Sequence, residues 1–261
     1  MSTQITTEQI KELRDSTGIS VMQCKRALEE AGGDMNKALA ILKKTSSDIA
    51  MKKMSREVKD GKVSIKTDGK KAVLISLLCE TDFVAKNDDF NNLLQDLSNA
   101  ALTNGIERMK TEAKEKIDPI IQKTGENIQL GEAYEVTGAI FGSYLHGDKI
   151  GVIVSLEGGT PELAKDIAMH IAAMKPEYIS ENDIPEETKK MMQEVFEKEI
   201  ASINKPEEIK KKMLAGKIST YFMEKTLLNQ PFIKNEGSND TVGQLLDKAK
   251  AKIKEVKRYS V

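Results

Sequence analysis

The sequence has no tryptophan, six phenylalanines and five tyrosines, so aromatics make up 4% of its 261 residues. Aliphatic and methionine side chains must therefore fill its cores, and twelve methionines supply adaptable packing and contact surface. Cysteine is as scarce. Cys24 and Cys79 each lie inside an apolar pattern, far apart, which reads as two buried reduced thiols rather than a disulfide. With only His146 and His170 beside them, no spacing matches a zinc site, and neither metal nor cofactor is expected. A charge excess is missing too. Forty Lys and Arg face 41 Asp and Glu, which argues against a dedicated nucleic-acid binder. No apolar run approaches the ~20 residues that span a membrane. The polar stretch from Ser2 to Glu12 is neither a secretory signal nor an Arg-rich transit peptide. These absences predict a soluble, cytoplasmic chain with no membrane or direct nucleic-acid partner.

What is present alternates between helical and strand-like patterns and predicts an α+β fold. Thr6 with Gln9 forms a capping-box signal, Ser20 with Gln23 repeats it, and Asp34 opens a third apolar stripe. Thr17-Gly18 and Gly32-Gly33 separate the three short helices. Residues 45–60 are polar and read as a linker or a helix lying on the surface. Then come two β-prone runs, Lys62 to Thr67 and Ala72 to Cys79, joined by an Asp68-Gly69 hairpin signal. Helical spacing follows from 88 to about 123. Strand-like segments return from Ile128 to Leu156, with Gly131, Gly138, Gly142 and Gly147 read as turns or bulges. The strand at 150–156 followed by a helix from Pro161 echoes the strand at 72–79 followed by a helix from Asp88, which predicts two related α/β halves with antiparallel sheets.

From Pro185 to Asn229 the pattern is purely helical and strongly charged. Its two narrow apolar stripes meet at Asn204-Lys205-Pro206 and predict an antiparallel helical hairpin, either a solvated arm or an association surface. A short helix and a strand, Ile253 to Tyr259, end the chain. The expected domains are thus 1–55, a helical domain with linker; 56–140, the first core half; 141–184 with 230–261, the second half; and 185–229, an inserted hairpin.

Nothing assembles into a catalytic centre by spacing. There is no phosphate loop of Walker type and no Gly-x-Ser-x-Gly elbow. Asp88-Asp89 and Glu186-Glu187 stand where helices begin, and helix dipoles explain them. His170 reads as a packed imidazole, and His146 as an exposed turn residue with no visible orienting group. The chain is expected not to be an enzyme.

The most informative segment is Glu80 to Asp88, where an acid and an aromatic stand side by side at a strand-to-helix corner. By pattern alone, Asp82 reads as a local cap, and Phe83 and Met22 as core residues. Three segments together nevertheless resemble bacterial elongation factor Ts. They are Lys11 to Gly18 running on to Met22–Leu28 and Gly33-Asp34; Thr81 to Asn87; and His146-Gly147 with Ile150 to Ile153, Ile167 to Ala173, Lys175-Pro176 and Gln230 to Phe232. The resemblance covers essentially the whole chain.

It implies an N-terminal domain like the ubiquitin-associated fold. It also implies guanine-nucleotide exchange on elongation factor Tu, the GTPase that delivers aminoacyl-tRNA to the ribosome. Thr81, Asp82, Phe83 and Val84 would enter that GTPase near its Mg²⁺ site, with Arg14, Met22 and His146 as secondary contacts. The extra C-terminal module that some members carry is not expected in a sequence ending at Val261. The competing reading is a non-catalytic adaptor or chaperone-like protein that binds through its helical domain and hairpin. Whether the hairpin pairs two copies, in a homodimer or a dimer of heterodimers, or meets the GTPase stays open.

Overall fold

A computed structural model describes residues 5–234 and 239–261. The chain divides into two compact units. One runs to Glu135 and adds Gly147–Ile150 and Tyr259–Val261; the other comprises Val136–His146 and Gly151–Arg258. Helices and two three-stranded antiparallel sheets make up an α+β fold.

The first unit opens with helices α1 (Thr7–Thr17), α2 (Val21–Glu30) and α3 (Met35–Lys53). The Thr6/Gln9 capping box forms, and the Ser20 and Asp34 side chains accept from the backbone N–H groups of Gln23 and Lys37. Leu13, Ile19, Cys24, Ala27, Leu28, Ala38 and Leu42 close a small core of their own.

Helix α3 extends eleven residues beyond that core, through part of the stretch read as a linker or a surface helix, so the helical alternative holds as far as Lys53. There it meets α6 (Ile106–Thr124). Ser46 bonds the Gln122 side chain, Ser47 donates to Asp118 at 2.6 Å, and Ile49 and Ala50 pack on the larger core. Polar residues at the contact masked it in the sequence.

Strands β1 (Asp60–Thr67), β2 (Lys71–Cys79) and β3 (Ile128–Thr137) form a sheet in the order β1-β2-β3. The hairpin register pairs Thr67 with Ala72 and Asp60 with Cys79, and the Asp68 carboxylate accepts from the Lys70 and Lys71 N–H groups in the turn. Strand β2 is central and buried on both faces, which is why its apolar run does not alternate. Val73, Ile75, Leu77 and Cys79 share one buried core with Phe90, Leu93, Leu94 and Leu97 of α5 (Asp88–Asn104) and Met109, Ala113, Ile117 and Ile121 of α6.

In the second unit, β4 (Ile140–His146), β5 (Ile150–Glu157) and β6 (Lys252–Ser260) make a sheet in the order β4-β5-β6. Helix α7 (Pro161–Met174) buries Ala164, Ile167, Ala168 and Ile171. Gly142 lies inside β4, not at a turn, because α7 crosses it too closely to admit a Cβ. Gly131, inside β3, is likewise crowded by Ser76 and Leu78. Helices α8 (Glu186–Ala201) and α9 (Glu207–Lys225) form the hairpin, where Phe196 meets Tyr221 edge-on at 5.6 Å and Ile200 and Phe222 are buried. Helix α10 (Val242–Lys248) precedes β6. No described helix is long and apolar enough to cross a membrane.

His170 on α7 is fully buried and stacked on Phe232. Its Nδ1 accepts from the Ile233 N–H at 3.3 Å, so Nε2 carries the proton and donates to Gln230 Oε1 at 2.8 Å. Burial depresses the imidazole's affinity for a second proton, only partly offset by Gln230. That proton would also place two donors face to face at Ile233. The unfolded chain therefore binds the proton first. Stability is full above the ordinary histidine value of 6.5 and is lost as pH falls below it toward the lowered folded value. Melting curves between pH 7.5 and 5 should show this loss, with a flatter profile for His170→Gln. Equal slopes in both proteins would contradict it.

Candidate functional site

The strand-to-helix unit is used twice, and its two versions differ in one way. After β2, Thr81 caps a helix with φ −133° and ψ 158°, its hydroxyl accepting from the Val84 N–H. After β5, Thr160 does the same with φ −133° and ψ 159°, accepting from the Leu163 N–H. The second helix, α7, then runs uninterrupted. The first, α4 (Asp82–Ala85), stops after one turn, because the Asn87 side chain accepts from the Asp89 N–H and starts α5 afresh. A single helical turn is thus left between two caps.

That turn is anchored from below and bare on top. Val84 and Ala85 are buried in the β2–α5 core. Phe83 is 81% exposed, the most exposed of the large apolar side chains among the described residues. Asp82 is exposed beside it and pairs with Lys86 at 2.7 Å; that hydrogen bond raises the Lys86 pKa above the ordinary lysine value. The pattern reading of Phe83 as core is therefore corrected. Met22 is corrected likewise, at 61% exposure beside Val21 at 53%. Of the four residues Thr81 to Val84, only Asp82 and Phe83 offer side chains outward. Val84 serves as an anchor, and Thr81 spends its polar atoms on neighbours.

Those neighbours were not legible in the sequence. Glu126, in the link between α6 and β3, takes the Thr81 N–H on one carboxylate oxygen (3.0 Å) and the Thr81 hydroxyl on the other (2.6 Å). Cys79 Sγ donates to the Thr81 carbonyl at 3.1 Å. Burial foremost, then the charges of Asp60 and Glu126, push that thiol up to about 12, which keeps it protonated as a donor. Glu80 accepts from the Asn127 N–H at 2.6 Å, and the Asn127 amide donates to the Arg56 carbonyl at 2.7 Å. The only local hint was a short polar link, Gly125-Glu126-Asn127, between a helix and a strand.

Arg14 is exposed in the last turn of α1, near Met22 in sequence. The α1–α2 corner approaches the end of α6, for a Cβ on Gly18 would sit 2.5 Å from Lys123 Nζ, which pairs at 3.4 Å with Asp89 at the start of α5. In the other unit, His146 is exposed at the end of β4 beside Leu145, and its Nδ1 lies 3.1 Å from the Tyr144 hydroxyl. That hydroxyl is the orienting group the sequence did not reveal. Among the described residues, no group of three His, Cys, Asp or Glu side chains is placed to hold a metal.

A family model described as "Elongation factor TS" matches residues 80–261, starting at this corner. Proteins named elongation factor Ts are similar along nearly the full chain. That of Thioalkalivibrio sulfidiphilus is 38% identical, covering 98% of this chain and 92% of its own length. That of Pseudomonas aeruginosa PAO1 is 38% identical over 99% and 91%, and that of Hahella chejuensis 39% over 98% and 92%. The chain belongs to the elongation factor Ts family of translation elongation factors.

Proposed function

We propose that the chain is a guanine-nucleotide exchange factor for elongation factor Tu, and that it acts by binding rather than by making or breaking bonds. The observation that carries this reading is Phe83, a large ring held outward on a turn whose backbone is clamped on both sides. Exposing an aromatic costs apolar burial, about 1.5–3 kcal/mol if it could be buried instead. An exposed Phe on a rigid element therefore points to a partner that buries it.

Nucleoside diphosphate in a GTPase is held by backbone N–H groups and by Mg²⁺ bridging its phosphates. A rigid apolar wedge beside a carboxylate suits displacement of the side chains and water that hold the ion. Phe83 supplies the wedge and Asp82 the charge. Arg14, Met22 and Val21 on the helical domain, and His146 with Leu145 on β4, are exposed and serve as secondary contacts.

Linkage makes the effect reciprocal, because whatever weakens the nucleotide is weakened by it. Immobilised chain should capture elongation factor Tu stoichiometrically and release it when GDP and Mg²⁺ are added in excess. Capture that GDP does not reverse would favour the adaptor reading instead.

A further inference from the structure

We infer that Glu126 is a positioning residue that holds the turn bearing Phe83 in its working geometry. Phe83 is too exposed to fix its own backbone, so the turn's shape must come from elsewhere. Glu126 lies 45 residues away in sequence and spends both carboxylate oxygens on one residue, Thr81. Bidentate, charge-assisted bonds of this kind fix direction as well as distance.

Their effect reaches Phe83 through the cap. The Thr81 hydroxyl has one proton, and Glu126 takes it. The oxygen's lone pairs are thereby turned toward the Val84 N–H, 3.5 Å away. The third polar group of Thr81, its carbonyl, is held by Cys79 and by the Ala85 N–H at 3.2 Å. Every polar atom of the residue that starts the turn is thus committed, and Glu126 holds both donors.

Glutamine at 126 loses the charge and keeps one acceptor: its NH₂ either faces the Thr81 N–H donor to donor or donates to the hydroxyl and turns that proton away, so the charge-assisted two-point clamp is lost. Serine at 81 keeps both donors; valine keeps one and loses the cap. The activity readout rests on the exchange reading, whereas amide protection does not, so two measurements on the full-length chain separate the possibilities.

By amide hydrogen exchange, Glu126→Gln should expose residues 81–85 about tenfold or more while α1 to α3 and α5 keep their protection. With fluorescent GDP on elongation factor Tu, it should cut the maximal release rate about tenfold, because small misplacements of a working group are costly. The half-saturating concentration should stay within about twofold. Thr81→Ser should match the parent, Thr81→Val should fall with Glu126→Gln, and Glu126→Gln should add little in a Phe83→Ala background. Unchanged protection at 81–85 in Glu126→Gln would overturn the inference. So would a Thr81→Ser as defective as Thr81→Val, or a full additional loss on top of Phe83→Ala. If the parent chain does not accelerate release at all, the exchange reading fails and protection alone decides the role of Glu126.

Discussion

Replacing Gly142 with alanine is expected to destabilise the chain by more than about 3 kcal/mol, above the ordinary range for an overpacked site. A Cβ there would lie 2.6 Å from the Lys165 Cα and closer still to the Ala164–Lys165 peptide. Backbone cannot step aside as a flexible side chain can. Moving it means shifting α7, whose Ala164, Ile167, Ala168 and Ile171 are packed with at most 1% exposure. Small residues on both sides of this crossing set the distance between strand and helix.

Gly216 provides the contrast. It lies inside α9 and nothing stands within 4 Å of an added Cβ. Gly216→Ala should therefore stabilise by about 0.5–1 kcal/mol through helix propensity and a less flexible unfolded chain. Urea unfolding of the two variants checks both signs. A Gly142→Ala midpoint equal to the parent's would refute the close approach.

Replacing Phe83 with alanine is expected to leave folding intact and remove most of the exchange activity. At 81% exposure the ring contributes little to the core, and surface substitutions of this kind stay within about 0.5 kcal/mol. In a partner's pocket the same ring is worth about 2–3 kcal/mol. At 1.4 kcal/mol per decade that is roughly a thirtyfold to hundredfold loss. Contacts made only in the state where nucleotide is loosened lower the maximal rate, whereas contacts made throughout raise the concentration needed. Phe83→Ala should fall in the first class. Val84→Ala, by contrast, removes buried methyl groups and should show itself as lost stability, about 1 kcal/mol or more.

Local chemistry made much of the fold legible. Thr6, Ser20 and Asp34 announce their helices because a cap's partners lie within three residues. The unbroken apolar run of β2 announces a buried strand. The echo between the two halves resolves into a shared device, a threonine cap after a buried strand.

What stayed hidden depends on distant residues. Phe83 at a strand end looks like a core aromatic, and nothing nearby says that Asn87 will restart the helix and leave the ring outside. Gly142 and Gly216 look alike until the neighbour of each is known. Glu126 has no periodic signature, since its bonds are to a single residue 45 positions earlier. The packing of the end of α3 was concealed by Ser46 and Ser47, which read as linker or solvated surface helix but bond Gln122 and Asp118. The proposal that the corner faces a partner came from resemblance, and its exposure and its supports came from the fold.

The most direct test of the central claim is the rate of fluorescent GDP release from elongation factor Tu in the presence of Mg²⁺, with saturating parent chain or Phe83→Ala. The account predicts strong acceleration by the parent and a maximal rate at least about thirtyfold lower with Phe83→Ala. No acceleration by the parent, or equal acceleration by both, would contradict it.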